Sequence, residues 1–462
     1  MTPDAKLQIF AIKRGMIETR MDVNYYLPEY QCGIEKLKKV YSGKLRKISD
    51  FADVVCGPFG SAIKNADYQS AGIPLLRITN ISADGNLDYK NIKFISKKLS
   101  DKLEKTQVTK GDIVVSQRGS LGLFAIVDDL YPILNISANL IAIKNVKDHD
   151  PEFIKNYLNS AICQKFLQQA QSGQIQSKIT TADISNILVP EKVDEKKLNR
   201  IIVDGFSIYQ QKLQQAEELL AGMDEFITNH IGLAKSDFSK HRMCLRIKRM
   251  DLNPRRLDAL FYMPSSCDNF NSHHECRLAD IAILNSNSKK NIMFSENVPY
   301  VGLPECSSNG IISIEKKKYK EVSGRNIAIP GDILFARIEP SIFNKKYVWT
   351  DNLHGHEYVF LSTEFYTIRA IDFSLQKFIY AMLFYPAVYE QFFGKTVGST
   401  GRRRLDKRSL EDVIIPMPDI EICKAIGEEF FRRQKMAEEL KLSAEKEWQE
   451  AKKQFEKELL GE

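Results

Sequence analysis

The amino-acid sequence predicts an α+β fold in which two pseudo-repeated mixed α/β domains are joined by two long helices that form an antiparallel coiled coil. Three features predict it: the chain contains an internal duplication, each half has short strands bounded by turn residues, and each half is followed by a long amphipathic segment. We expect a first domain at 1–190, a long helix and connector at 191–243, a second domain at 244–418, and a C-terminal long helix at 419–462.

The duplication is visible in short motifs that recur in the same order. The spacing between the two copies stays within 220–236 residues, as expected for a repeated unit that has drifted through loop insertions. The clearest pairs are Arg20-Met21-Asp22 with Arg256-Leu257-Asp258, Gly111-Asp112-Ile113-Val114 with Gly331-Asp332-Ile333-Leu334, Phe153-Ile154 with Phe378-Ile379, and Gly173 with Gly398. The two copies of a duplicated unit usually perform the same function at two different places.

Within each half the pattern is that of a mixed α/β domain. Short strands are predicted around Ile113–Val115 and Leu140–Ile143. The apolar stripe from Pro151 to Gln171 predicts one helix, and Leu375 to Phe393 is its counterpart in the second half.

Two long helices are predicted from Glu195 to Ile231 and from about Ile420 to Leu460, because apolar residues recur every three or four positions along both. A lone amphipathic helix cannot bury its own stripe, so two of similar length most simply bury each other. Antiparallel pairing would place the domains at opposite ends of a rod. The alternative is that each helix packs on its own domain.

Charge is distributed unevenly along the chain, whose net charge is +7. Residues 191–243 carry 8 Lys and Arg against 9 Asp and Glu, and residues 419–462 carry 9 against 12, so the basic surplus lies in the two domains. This favours a polyanionic partner for the domains. Ordinary solubilising charge is the alternative.

The sequence also indicates in which cellular compartment the protein resides. Apolar runs stay well below the roughly 18 residues that a bilayer span needs, and the N-terminus lacks the pattern of a signal peptide. The eight cysteines form no C-x-x-C pair. We therefore expect a cytoplasmic protein with free thiols and no membrane association.

The sequence shows no recognisable catalytic motif. The sequence contains no G-x-x-x-x-G-K-[ST] loop, and Gly57-Pro58-Phe59-Gly60 is not a dinucleotide-binding loop. Asp150-Pro151-Glu152-Phe153 lacks the second proline of a methyltransferase motif. We expect no catalysis by the chain itself, and neither a cofactor nor a metal.

Several polar segments suit DNA contact, because cations and amides on Gly- and Ser-rich backbone can meet both phosphates and base edges. The main candidates are two loops that precede a helix, with Gln174, Gln176, Ser177 and Lys178 in the first half and Thr400, Arg402, Arg403 and Arg404 in the second. Further candidates are Lys64, Arg77, Asn80, Gln117, Arg118, Ser120, Lys289, Lys290, Arg337, Lys345 and Lys346. For each of them the alternative is a solvated loop.

Three segments carry a family resemblance: Gly72–Ile81, Gly111–Ser116, and the Gly-x-x-Gln-x-x-Ile pattern of Gly173, Gln176 and Ile179. In this order they resemble specificity subunits of type I restriction–modification systems. The resemblance implies that each domain is a target-recognition domain for one half of a split site in double-stranded DNA. It also implies that the helices dock methyltransferase subunits, which the restriction (motor-nuclease) subunits join.

The second half departs from this pattern. Gly302 stands where Arg77 would align, Ile338 stands where Arg118 would, and Arg402–Arg404 replace the Gln-x-x-Ile segment. Two other function classes remain open from the residues alone: a self-contained DNA modification or cleavage enzyme, and a coiled-coil scaffold whose domains bind protein.

Overall fold

The computed structural model describes residues 26–82, 85–117, 123–171, 178–231, 275–286, 297–307, 310–322, 326–398 and 403–462. The Arg20 and Arg256 motifs lie outside this part of the chain. The chain divides into two compact units. The first comprises residues up to Gln211 together with Ser443–Glu462, and the second comprises Lys212–Leu442. Each unit therefore contains one half of each long helix.

The first unit is built on two four-stranded sheets and a two-stranded ribbon. Its strands are β1 (Leu45–Lys47), β2 (Asp53–Cys56), β3 (Ile73–Leu76), β4 (Lys93–Ile95), β5 (Gln107–Val108), β6 (Ile113–Ser116), β7 (Phe124–Ile126), β8 (Leu134–Ile136), β9 (Leu140–Lys144) and β10 (Leu188–Pro190). One sheet is antiparallel with the order β2-β9-β6-β7, and the other has the order β4-β3-β8-β5 with β3 and β8 parallel. The ribbon pairs β1 with β10.

Strand β6 is buried on both faces and separates two cores. Ile113 and Val115 face a core that also contains helical residues, whereas Val114 faces a core between the two sheets. This is the period of two expected of a strand. The helices are α1 (Pro28–Val40), α2 (Lys97–Lys102), α3 (Pro151–Leu158), α4 (Ala161–Gln171), α5 (Thr181–Ser185) and the first part of α6 (Glu195–Ile231).

The second unit repeats this plan strand for strand and adds one hairpin. Its strands are β11 (Glu275–Arg277), β12 (Ala282–Leu284), β13 (Asn297–Val301), β14 (Cys306–Ser307), β15 (Gly310–Ile311), β16 (Glu315–Lys318), β17 (Ile327–Ala328), β18 (Ile333–Ala336), β19 (Tyr347–Trp349), β20 (Val359–Leu361), β21 (Phe365–Ala370) and β22 (Ile414–Pro416). The sheet orders are β12-β21-β18-β19 and β16-β13-β20-β17, the ribbon is β11-β22, and the added hairpin is β14-β15. The predicted duplication and the α+β class are confirmed.

The repeated Gly-Asp motif forms the same turn in both units. Gly111 and Gly331 adopt φ angles of +89° and +88°, which glycine tolerates best. The Asp112 carboxylate accepts the backbone N–H of Thr109 at 2.8 Å, and the Asp332 carboxylate accepts that of Ile329 at 2.9 Å. The motif therefore starts β6 and β18, the central strands.

The remaining helices of the second unit are α7 (Leu278–Ile281), α8 (Glu339–Phe343), α9 (Gln376–Phe384), α10 (Pro386–Tyr389), α11 (Lys407–Glu411) and the first part of α12 (Ile420–Leu460). The single helices predicted over 151–171 and 375–393 are wrong, because each is interrupted. Ser160 separates α3 from α4, and its hydroxyl accepts the N–H of Cys163 as a new helix cap. Pro386 lacks the N–H needed to continue α9, so α10 begins there.

The long helices α6 and α12 span the predicted residues and pair antiparallel in each unit. In the first unit Lys197 bonds to Glu458, and the rings of Phe206 and Tyr209 lie against that of Trp448. In the second unit the Arg433 guanidinium donates to the carbonyl of Leu219 at 3.3 Å. Both helices also enter the cores of the units, through Leu198, Phe455 and Leu459 in the first and Ile227, Ile426 and Phe430 in the second.

Gly205 allows the closest approach of the two helices in the first unit. A Cβ atom at this position would lie 2.3 Å from the Ala451 Cβ, well inside van der Waals contact. Gly222 on the same helix does not face backbone or a short side chain. A Cβ atom added at Gly222 would meet only Nη1 of Arg433, at the end of a long flexible side chain, at 2.9 Å.

We predict that Gly205→Ala destabilises the first unit by about 1–3 kcal/mol, since overpacking outweighs the gain in helix propensity. The double variant Gly205→Ala/Ala451→Gly should regain most of that loss. Gly222→Ala is the matched control and should be neutral or stabilising by up to about 1 kcal/mol. Urea unfolding followed by circular dichroism measures these differences. Equal stability of Gly205→Ala and Gly222→Ala would contradict the close helix contact.

Candidate nucleic-acid interface

Two backbone hydrogen bonds bring distant segments of the first unit together at the end of β6. The N–H of Gln117 donates to the carbonyl of Asn139 at 2.9 Å, and the carbonyl of Gln117 accepts the N–H of Ile179 at 3.2 Å. Residues 118–122 follow Gln117 in the chain, and residues 172–178 precede Ile179. The junction therefore joins the residue before one predicted DNA-contacting segment to the residue after another, although 62 positions separate Gln117 from Ile179 in sequence.

The second unit repeats both bonds at the end of β18. The N–H of Arg337 donates to the carbonyl of Glu364 at 2.9 Å, and the carbonyl of Arg337 accepts the N–H of Leu405 at 2.8 Å. Gln117, Asn139 and Ile179 thus correspond to Arg337, Glu364 and Leu405. We call this pair of bonds the loop junction. It holds Arg403 and Arg404 next to the end of β18, just as it holds Lys178 next to the end of β6.

The side chains at equivalent positions of the two junctions differ in charge. Lys178 corresponds to Arg404, and Asn139 corresponds to Glu364. Arg404 donates to both carboxylate oxygens of Glu364, from Nε at 2.9 Å and from Nη2 at 2.6 Å. This hydrogen bonding lowers the pKa of the Glu364 carboxyl. Lys178 is partly exposed, and the position that corresponds to Glu364 is occupied by the neutral Asn139.

Two further arginines lie at the second junction. The Arg403 Nη2 donates to the carbonyl of Thr396 at 3.1 Å, and its Nε lies 3.6 Å from the Glu339 carboxylate. The Arg337 guanidinium lies 4.9 Å from the centre of the Tyr366 ring, and its buried Nε has no protein partner. Three guanidiniums therefore share two carboxylates, which leaves a positive surface.

Arg77 lies next to the first junction, on the wall of a cavity of about 340 Å³. Its Nη2 donates to the carbonyl of Asn91 at 2.8 Å, while its Nε is buried without a protein partner. Asn139 lines the same cavity, so the cavity and the junction are continuous. The remaining lining residues are Pro58, Phe59, Gly60, Ile63, Tyr68, Leu75, Ile78, Thr79, Ser137 and Ala138.

Two predicted contact residues have structural roles. Asn80 is 1% exposed and forms a cap, in which its Oδ1 accepts the N–H of Arg77 at 3.0 Å and its Nδ2 donates to the carbonyl of Asp88 at 2.8 Å. The Gln117 side chain is 2% exposed and donates to Cys56 Sγ. Neither side chain can reach a ligand without breaking these bonds, so neither is kept as a candidate.

The alignment of Gly302 with Arg77 agrees with the structure. Gly302 donates its N–H to the Glu305 carboxylate at 2.8 Å, as Arg77 donates to Asn80. The capping turn is thus repeated, but the guanidinium is replaced by hydrogen.

The three lysine candidates that the structure describes differ in the hydrogen-bond partners of their ammonium groups. The Lys64 side chain is exposed near the cavity wall. Lys345 Nζ donates to the carbonyl of Phe384 at 3.1 Å, and Lys346 Nζ donates to that of Leu303 at 2.7 Å. The last two follow Arg337 in the β18–β19 connection, and their ammonium groups are held by backbone.

The other predicted contact residues lie outside the described residues. They are Arg118, Ser120, Gln174, Gln176, Ser177, Lys289, Lys290, Thr400 and Arg402.

No group of three or more His, Cys, Asp or Glu side chains that could hold a metal ion occurs in the described chain. Burial raises the pKa of the Cys276 thiol to about 11 and that of Cys306 to about 12, which disfavours their reactive thiolates. Among the residues that the structure covers, no helix is long and apolar enough to span a bilayer.

Comparison with known proteins agrees with this picture. Residues 44–221, which include the first junction, match the family model described as the type I restriction modification DNA specificity domain. This part of the chain is therefore similar to that specificity domain. The match covers the first domain from residue 44 onwards and most of α6.

A curated relative is the type I restriction enzyme EcoBI specificity subunit of Escherichia coli, which is 29% identical over 129 residues. The aligned segment spans 28% of this chain and only 27% of the relative. A chain from a solved type I R-M system is 14% identical, with a TM-score of 0.45, and covers 90% of this chain and 96% of its own. The S subunit from M. genitalium is 15% identical, with a TM-score of 0.42, over 90% and 95%. Since both scores are below 0.5, the assignment rests on the family model.

The sequence did not single out Glu339, Glu364 or Asn139 of the two units. Their role depends on the loop junction, which joins residues far apart in the chain. The one usable signal was the internal repeat itself, because it aligns Asn139 with Glu364 at the same spacing, 225 residues, that separates Gly173 from Gly398.

We predict that Glu364→Gln increases the affinity of the chain for DNA of scrambled sequence and steepens its salt dependence by up to about one unit, because Arg404 then loses a competing carboxylate. Glu357→Gln removes the same charge from an exposed position and is the control. Fluorescence anisotropy at several salt concentrations measures both effects. An identical response of the two variants would show that the Arg404–Glu364 pair does not compete with DNA.

Proposed function

We propose that this chain is the non-catalytic DNA-specificity subunit of a type I restriction–modification complex and that it reads a bipartite, asymmetric target in double-stranded DNA. The loop junction is the observation that supports this most strongly. In each unit it fixes cationic residues at the end of a central strand that is buried on both faces. Rigid strands that present variable loops are a common basis of recognition.

The target is asymmetric because the two units offer different groups to DNA. The first offers Arg77 and Lys178, together with the amide-rich segment that contains Gln174 and Gln176. The second offers Arg403 and Arg404 and has Gly302 in place of Arg77. Guanidiniums pair best with guanine and amides with adenine, so two unlike sets read unlike half-sites.

Docking of methyltransferase subunits, and through them of restriction (motor-nuclease) subunits, is proposed for the long helices. Five large apolar side chains on these helices are exposed: Val203 at 59%, Ile208 at 42%, Ile420 at 41%, Met436 at 39% and Leu442 at 66%. Apolar side chains on an otherwise charged helix suit a protein partner. The chemistry is assigned to those partners, so this subunit needs no cofactor or metal.

Binding to DNA with one half-site scrambled tests the function directly. The recognised sequence is first read from the methylome of a host that expresses the chain with its methyltransferase subunit. Scrambling either half-site should then weaken binding of the assembled complex by roughly a thousandfold or more, towards non-specific affinity. Methylation at a continuous or palindromic site, or no loss on scrambling one half, would refute a bipartite asymmetric target.

The gap between half-sites should follow the length of the helix pair. Removing one heptad from both α6 and α12 shortens the pair by about 10 Å, or about three base pairs. The new methylome should show the same half-sites with a shorter gap. Removing the heptad from α6 alone is the control and should abolish assembly, since the stripes fall out of register. An unchanged gap in the double deletion would contradict this spacer role.

A further inference from the structure

We infer that Phe59 is a specificity-determining residue that packs its ring against the bases of the first half-site. This rests on the proposed function and adds to it an apolar base contact that neither charge nor the loop motifs indicate. Three features of Phe59 support this: its ring is exposed, the segment that carries it is held rigidly, and polar and cationic residues lie near it.

The Phe59 side chain is 91% exposed, the largest value among the exposed large hydrophobic residues that the structure describes. A single exposed apolar residue is unremarkable on a mobile loop. Phe59, however, follows a tightly anchored segment. The N–H of Gly57 donates to the carbonyl of Leu140 at 2.8 Å, and the N–H of Ala62 donates to the carbonyl of Phe59 at 2.8 Å.

Gly57 shows how closely this segment is held. A Cβ atom at Gly57 would lie 2.0 Å from the carbonyl oxygen of Ser137, so only glycine permits the approach. Leu140 lies in β9 and pairs with Ser116 of β6, one residue before Gln117. The segment is therefore fastened to the strands that form the first junction, and the exposed ring is held at the edge of that surface.

The neighbours of Phe59 are suited to a nucleobase. Phe59 lines the same cavity as Arg77, whose buried Nε lacks a protein partner, and as Thr79, which is exposed. Lys64 stands exposed five residues further along the loop. An apolar ring beside a guanidinium, a hydroxyl and an ammonium group matches the thymine methyl group, the acceptor edges of the bases and the phosphates that line a groove of duplex DNA. An apolar protein partner would leave these polar groups unsatisfied.

The contact has its own experimental signature. A ring that packs on bases releases no counterions, so its removal lowers affinity without changing the salt slope. Removing a cation that contacts phosphate, by contrast, flattens that slope by about one unit.

The experiment compares the assembled complex containing wild type, Phe59→Ala, Phe59→Trp and Leu130→Ala on the methylome-derived site and on a scrambled site, at several salt concentrations. Leu130 is 60% exposed in the β7–β8 turn. That turn adjoins Asp112, at the opposite end of β6 from Gln117. Phe59→Ala should weaken specific binding about tenfold to a hundredfold, as loss of one base-pair contact in a duplex site does, with an unchanged salt slope. Phe59→Trp should restore it, and Leu130→Ala should match wild type.

The inference is overturned if Phe59→Ala binds the specific site as wild type does, if its salt slope flattens, or if Leu130→Ala loses as much affinity. Thermal unfolding midpoints must agree among the variants, as expected for an exposed side chain, and a lowered midpoint for Phe59→Ala would assign the ring a structural role instead. Failure of wild type itself to prefer the methylome-derived site would refute the proposed function and this inference with it. A normal preference that Phe59→Ala leaves intact refutes only the inference.

Discussion

A backbone hydrogen bond at the end of a central strand, formed once in each unit, is the constraint on which the rest depends. The amide of Ile179 and that of Leu405 donate to the carbonyls of Gln117 and Arg337. Both donors belong to residues whose side chains are fully buried in the core of their unit, and both acceptors follow strands buried on both faces. Neither partner can shift without unpacking a core. The bond therefore fixes the points at which the chain leaves the core after Gln117 and Arg337 and returns to it at Ile179 and Leu405.

The two units share this framework but differ in electrostatics. The first junction has a partly exposed lysine and a neutral asparagine at the positions where the second has an arginine and a glutamate that form a two-point ion pair. Partly exposed ion pairs contribute little to stability. Under the proposed function, the Arg404–Glu364 pair orients a guanidinium for which DNA must compete. A planar, oriented guanidinium discriminates more finely than a mobile ammonium.

The sequence predicted much of this architecture, because repetition and periodicity are local signals. The bounds of α6 and α12 follow from apolar spacing. The breaks at Ser160 and Pro386 were missed, since the apolar stripe continues through both. Asn80 and Gln117 were chosen as polar residues near predicted loops. Their burial depends on contacts with Asp88, Cys56 and Leu140 that no local pattern encodes.

Hydrogen–deuterium exchange of the assembled complex, with and without its specific DNA, is the most direct measurement of the central claim that both junctions face DNA. The expected result is slower exchange on DNA binding in two groups of segments: 57–64, 117–122 and 172–178 in the first unit, and 337–346 and 399–404 in the second. Scrambling one half-site should remove protection from one group only. Protection confined to the long helices, or absent from both groups in the presence of saturating specific DNA, would contradict the claim.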